Sequence, residues 1–272
     1  MEDARSGPPP RGAPIPLRPA RPRSVRPRLA RLRLARLRPA ASARFLSAAS
    51  ARRRLAAVFA GCAILVTALG ALFAGQSTAD AFDRAVDAPV ISLFAGHSGL
   101  ALWLAYPGTT LPAVVVSVVI AVACLLTGRI RGALLAIAAV PVAVGLCEVL
   151  IKPLVHRTYI GQVVYPSGHT ATIFALVATI TVLLLASPWP AMTRPLRVLI
   201  LAVAYLAAVA VVVGVIGVRF HYFTDTVAGA AVGCAVVLLT AFALDFPAVR
   251  TRLWRPALPA QWSLSRARRA RL

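Results

Sequence analysis

Six apolar segments, each about 20 residues long, constrain the fold of this 272-residue chain more than any other feature. A helix of that length crosses the hydrocarbon core of a bilayer. The charged residues make up only 14% of the chain, against roughly a quarter in soluble domains. We therefore expect an all-α fold, a polytopic membrane helical bundle with about six transmembrane helices. The segments lie at about 55–75, 108–127, 132–151, 169–187, 197–217 and 225–245.

A shorter apolar run at about 91–105 does not fit this pattern. It contains His97 and Trp103, and we interpret it as an interfacial or re-entrant piece. Before it lies a stretch with Asp80, Asp83 and Asp87, which we expect to be a loop on the outer side of the membrane.

Basic residues are concentrated at the two ends of the chain. Residues 1–54 hold fifteen of the thirty basic residues, and residues 250–272 hold seven more. The composition predicts three parts: a basic, disordered cytoplasmic tail at 1–54, a six-span domain at 55–245 and a second basic cytoplasmic tail at 246–272. We expect the tails to contact anionic membrane lipids. Specific nucleic-acid binding is not expected despite the net charge of +22, because the amino-terminal tail has a single aromatic residue, Phe45, and no series of aromatic residues on which bases could stack.

Arginines between the spans predict the orientation in the membrane. Arg129 and Arg131 fall in one loop and Arg194 and Arg197 in another, and alternate crossing places both loops on the side of the basic termini. Because cytoplasmic loops are enriched in Lys and Arg, we expect both termini to be cytoplasmic. The composition favours a bacterial plasma membrane.

Three polar segments fall at the opposite, outer ends of the spans. They are Lys152-Pro-Leu-Val-His-Arg157, Pro166-Ser-Gly-His-Thr170 and Arg219-Phe-His-Tyr-Phe-Thr-Asp225. The first two share the loop between the third and fourth spans, and the last lies between the fifth and sixth. The topology therefore brings all three to one face of the membrane.

The residue types in these segments suit phosphate ester cleavage. Of the imidazoles of His221 and His169, one can attack while the other donates a proton. Asp225 follows His221 by four residues, so on a helix it could hold the ring N–H. A two-metal mechanism fits poorly because it needs several carboxylates, and only Asp225 is near, with Glu148 one turn deeper. We therefore expect a phosphohistidine, no metal and no cofactor, and we interpret Glu148 as a structural partner of Lys152 or of a residue on another span.

Pro166-Ser-Gly-His169 and His221-Tyr-Phe-Thr-Asp225 resemble the second and third motifs of the type 2 phosphatidic acid phosphatase family of membrane lipid phosphatases. The resemblance covers about residues 55–245 and implies a six-span bundle that removes phosphate from a lipid phosphate. It also implies roles for single residues. His221 would be the nucleophile, Asp225 its partner and His169 the general acid, and the phosphate would bind to Lys152, Ser167 and Gly168.

Two motif positions depart from the family pattern. Tyr159-Ile160 stands where the first motif has Arg-Pro, and Arg157 lies two residues earlier. Gly214-Val215 stands where the third motif has Ser-Arg, and Arg219 lies four residues later, about one helical turn. We expect Arg157 and Arg219 to take over phosphate binding.

Several alternatives stay open. Phosphatidic acid, phosphatidylglycerol phosphate and polyprenyl (di)phosphates all qualify as substrates by the resemblance. A lipid phosphotransferase would use the same phosphohistidine, and a non-catalytic membrane protein with a relic site would explain the displaced arginines. The sequence makes no prediction of the oligomeric state.

Overall fold

The computed structural model describes residues 49–186 and 192–246. Its helices are α1 Ala49–Phe73, α2 Ala81–Leu93, α3 Ser98–Ala105, α4 Thr110–Leu126, α5 Ile130–Gly145, α6 Lys152–Val155, α7 Gly168–Ala186, α8 Arg194–Gly217 and α9 Phe223–Asp245. A 3-10 turn, Tyr106–Gly108, joins α3 to α4, and a π-helical segment, Leu146–Ile151, joins α5 to α6. Strands β1 Thr158–Tyr159 and β2 Gln162–Val163 form a small antiparallel hairpin.

Six segments of the described chain are long and apolar enough to cross a membrane. They are Arg52–Phe73, Ser98–Leu126, Ile130–Val155, Gly168–Leu185, Arg194–Gly217 and Phe223–Asp245. The prediction of an all-α bundle with six spanning segments is confirmed, and these segments indicate an integral membrane protein.

The run at 91–105 does not form the single interfacial or re-entrant piece that we expected. Its first part forms the carboxyl end of α2, which ends at Leu93. Gly96, with a φ of 78°, then turns the chain away from that helix. The remainder forms α3, which continues through the 3-10 turn into the second spanning segment.

The acidic stretch before this run is also not a loop. It forms α2, whose amino end is capped by Asp80 through a 2.7 Å bond from the Asp83 N–H to its Oδ1. Asp83 and Asp87, four residues apart, share the face that is buried against the bundle.

Helices α7 and α9 form the centre of the bundle and pack closely along small residues. A Cβ added at Gly229 would overlap with the Ser167 carbonyl and the Thr170 hydroxyl, and one added at Gly233 would lie 2.5 Å from the Ala171 carbonyl oxygen. These glycines therefore bring the start of α9 directly against the start of α7.

The other end of the bundle carries Arg129, Arg131, Arg194 and Arg197. There Arg131 at the start of α5 forms a buried ion pair with Asp245 at the end of α9, with 3.0 Å between Nη1 and Oδ1. Our predictions for the tails fall almost entirely on residues outside the described part. Within it, α1 begins at Ala49, six residues before the predicted boundary at Leu55.

Candidate active site

His221 lies in the short connection between α8 and α9 and is 7% exposed. Its Nδ1 is 3.0 Å from the Val164 carbonyl oxygen. Because a carbonyl only accepts hydrogen bonds, this contact places the ring proton on Nδ1 and leaves the Nε2 lone pair free. Burial, followed by the positive charges of His169 and Lys152, lowers the pKa of His221 to about 3. The ring is therefore neutral at physiological pH, as a nucleophile must be.

The second histidine lies beside the first. His169 is the second residue of α7, and the centroid of its ring is 6.1 Å from that of His221. Phe220 packs against His169 at the same centroid separation, 6.1 Å. An atom placed between the two rings would be within reach of both.

Lys152 supplies positive charge next to the histidines. Its ammonium group contacts both oxygens of Glu148, at 2.7 and 2.8 Å, so the predicted pairing of these two residues is confirmed. Glu148 Oε1 in turn lies 2.9 Å from the position that a Cβ would take at Gly168, the first residue of α7. The carboxylate therefore lies between Lys152 and the amino end of α7.

Ser167 immediately precedes α7 and is fully buried. Its N–H donates to the Asp225 carbonyl over 3.0 Å, and its Oγ accepts from the Thr170 N–H over 3.4 Å. Ser167 thus fixes the start of α7 against the start of α9. Its phosphate-binding role, like that of Gly168, stays a prediction.

Asp225 does not hold the His221 ring as we expected. Its Oδ1 accepts from Arg157 Nη1 over 2.7 Å, and its Oδ2 accepts from the Tyr222 N–H over 3.0 Å. The ring N–H goes to Val164 instead. Because Tyr222 directly follows His221, Asp225 fixes the backbone at the histidine and not the imidazole itself.

Arg157 is also not placed to bind phosphate. It is 0% exposed, and its Nη1 and Nη2 bind Asp225, Thr224 and Asp83. The guanidinium carbon lies 3.9 Å from the centroid of the Phe73 ring and 4.4 Å from that of Tyr222. A charge as deeply buried as this needs such partners to be stable, so Arg157 is a structural cation beneath the site.

Arg219 lies two residues before His221, in the connection between α8 and α9. It has a left-handed backbone conformation, with a φ of 59°, and its side chain is exposed in a groove that Ile91, Gly217 and Phe220 also line. In the described part of the chain this side chain forms no hydrogen bond or ion pair. Its predicted contact with phosphate stays a prediction.

The sequence reasoning missed two carboxylates of α2. Asp83 accepts from the Thr224 N–H over 2.9 Å and pairs with Arg157, and Asp87 accepts from the Phe223 N–H over 3.1 Å. Burial, followed by the charge of Asp83, raises the pKa of Asp87 to about 7. The four-residue spacing of these residues was a usable signal, because it places both on one face of a helix. No sequence signal identifies the Val164 carbonyl.

The arrangement can perform phosphoryl transfer at a histidine. It joins a neutral imidazole with a fixed tautomer, a second imidazole, an ammonium group and the amino end of a helix, which favours anions. Across residues 49–186 and 192–246, no group of three or more His, Cys, Asp or Glu could hold a metal ion. Metal independence itself stays a prediction.

The comparison with known proteins gives a family. The model described as PAP2 superfamily matches residues 90–246, more than half of the chain. No curated protein and no solved structure shows a significant match. The matched region contains both histidines and Lys152. The chain therefore belongs to the PAP2 superfamily, a membership that supports phosphatase activity on phosphate esters.

Proposed function

We propose that the protein is a lipid phosphate phosphohydrolase that works through a phosphohistidine at the outer face of the membrane. The observation that carries the proposal is the His221–His169 pair, in which the Val164 carbonyl fixes one tautomer of a neutral, buried imidazole. The apolar spanning segments around the site favour a substrate whose hydrocarbon chain stays in the bilayer.

The reaction proceeds in two steps. In the first, His221 Nε2 attacks phosphorus, the bond from phosphorus to the lipid oxygen breaks, and His169 donates a proton to that oxygen. In the second, His169 accepts a proton from water, which attacks the phosphohistidine, and inorganic phosphate leaves while His221 returns to its neutral form. Lys152 and the amino end of α7 bind the phosphate oxygens throughout.

The test is phosphate release from a panel of lipid phosphates by the detergent-purified protein in the presence of EDTA. We expect release from at least one of phosphatidic acid, phosphatidylglycerol phosphate and a polyprenyl phosphate. His221→Ala should lower the rate by at least about a thousandfold, since the nucleophile is lost. The matched control is His97→Ala, because His97 is exposed at the start of α3 and should leave the rate unchanged.

Three outcomes contradict the proposal. Full activity in His221→Ala excludes this nucleophile, and complete inhibition by EDTA excludes a metal-independent mechanism. Transfer of phosphate to a second lipid without free phosphate identifies a phosphotransferase instead.

A further inference from the structure

Glu148 is a carboxylate within a site that is otherwise suited to anions. Its two oxygens lie 2.7 and 2.8 Å from Lys152 Nζ. The carboxylate therefore neutralises at least part of the positive charge that Lys152 would otherwise present to a substrate. It lies in the π-helical segment Leu146–Ile151 that separates α5 from α6. Such segments are rare and are found frequently at functional sites.

This carboxylate lies against the two groups that are expected to bind phosphate, Lys152 and the amino end of α7. Glu148 Oε1 lies 2.9 Å from where a Cβ would stand at Gly168, and Gly168 is the first residue of α7, where backbone N–H groups lack intrahelical partners. One oxygen therefore lies close to both Lys152 and the start of α7. A phosphate bound to these two groups would overlap with Glu148 or lie beside its negative charge.

The pair can open without unfolding the site. The side chains of Lys152 and Glu148 are 18% and 45% exposed, in contrast to the fully buried pairs of Arg157. At the water-facing end of a span, where the proposed function places the site, a partly exposed i,i+4 ion pair contributes little to stability. A phosphate dianion carries more charge than the carboxylate and can replace it at Lys152.

We propose that Glu148 is an internal anion that occupies the phosphate subsite of Lys152 and Gly168 when the site is empty, and that it moves away from Lys152 when phosphate binds. The inference rests on the proposed function for the location of the phosphate. It makes Glu148 a residue that weakens phosphate binding, so that the inorganic phosphate left by hydrolysis is released readily.

The test measures phosphate affinity without turnover. Inorganic phosphate is titrated into the detergent-purified full-length protein, and the dependence of Tm on phosphate concentration gives Kd. Glu148→Gln keeps the size of the side chain and removes its charge. Lys152 can then donate one more charge-assisted hydrogen bond to phosphate, so the Kd for phosphate should fall about tenfold. Glu148→Ala should give a similar decrease. Both changes should have a smaller effect when Lys152→Met is also present, because competition for the ammonium group is then lost and only the competition at the start of α7 remains.

Asp80→Asn is the matched control. It removes one negative charge from the same end of the bundle, and asparagine caps a helix as well as aspartate does, so phosphate affinity should not change. Equal affinities in the protein and in Glu148→Gln, or no phosphate binding by either, would overturn the inference. A weaker affinity in Glu148→Gln would also overturn it, since it would show that Glu148 holds Lys152 in position for phosphate.

A hydrolysis assay in parallel separates this inference from the proposed function. If no lipid is hydrolysed but Glu148→Gln binds phosphate more tightly, the proposed function is wrong, but the inference that Glu148 competes with phosphate is supported. If lipid is hydrolysed but Kd does not fall, the internal anion alone fails.

Discussion

Arg157 and Lys152 differ in how deeply they are buried, and this difference separates a structural cation from one that can bind substrate. Arg157 is fully enclosed between two rings and two carboxylates, whereas Lys152 is partly exposed beside one carboxylate. A guanidinium can bind several oxygens in a fixed plane, which an ammonium group cannot do. The residue type therefore matters most where the cation is buried.

We predict that substitution of Arg157 affects stability, whereas substitution of Lys152 affects phosphate binding. Arg157→Lys keeps the charge but loses the planar guanidinium group that binds several oxygens at once. The free energy of unfolding should therefore decrease by about 1.5–3 kcal/mol. Lys152→Met should leave Tm nearly unchanged, because it breaks a partly exposed pair, but it should weaken phosphate binding at least about tenfold. Thermal unfolding in detergent and phosphate titration measure the two effects. Unchanged Tm in Arg157→Lys would contradict the structural role of Arg157.

At the scale of the helices, the site depends on the contact between the starts of α7 and α9. The Ser167 N–H bonds to the Asp225 carbonyl, and Gly229 lets the two backbones approach. The β1–β2 hairpin and the residue after it then bring the Val164 carbonyl to His221. Two parts of the chain distant from each other, the hairpin with the start of α7 and the start of α9, thus fix one imidazole.

Gly229→Ala should disturb this contact. The added methyl group would overlap with the Ser167 carbonyl and the Thr170 side chain, and overpacking of this kind costs about 1–3 kcal/mol. We expect a lower Tm and a loss of phosphatase activity in the protein that remains folded, since Ser167 adjoins the site.

Gly61→Ala in α1 is the control for this substitution. Nothing lies within 4 Å of its added Cβ, so the helix should gain up to about 1 kcal/mol. Equal Tm values and activities for the two variants would contradict a close α7–α9 contact.

At the scale of the molecule, the bundle has two chemically different ends. The Arg131–Asp245 pair and the start of α8, with Arg194 and Arg197, lie at one end, and the histidines lie at the other. This separation is what the enrichment of basic residues on the cytoplasmic side leads us to expect if the site faces outward.

Labelling of introduced cysteines in intact cells tests this orientation. Thr78 is exposed before α2 at the end with the site, and Thr127 is exposed after α4 at the opposite end. Thr78→Cys should react with a membrane-impermeant maleimide in intact cells, and Thr127→Cys only after the cells are opened. The unsubstituted protein is the control for its four native cysteines. The reverse pattern would place the site inside the cell.

The sequence by itself determined the number of spanning segments, the end of the bundle where the polar motifs meet and the proximity of His169 and His221 there. It could do so because span length and chain alternation are local properties, and because each motif is contiguous. Even the pairing of Glu148 with Lys152 follows from their i,i+4 spacing.

Only the tertiary structure decided which polar groups face each other. Asp225 and His221 are four residues apart, but His221 precedes the first residue of α9, so the expectation of a shared helical face did not apply to it. Arg157 was expected at the phosphate and is instead neutralised by Asp83, whose contribution depends on the packing of α2 against the start of α9. Contacts between residues distant in the chain have no local pattern, and a backbone carbonyl such as that of Val164 has no residue type by which the sequence could mark it.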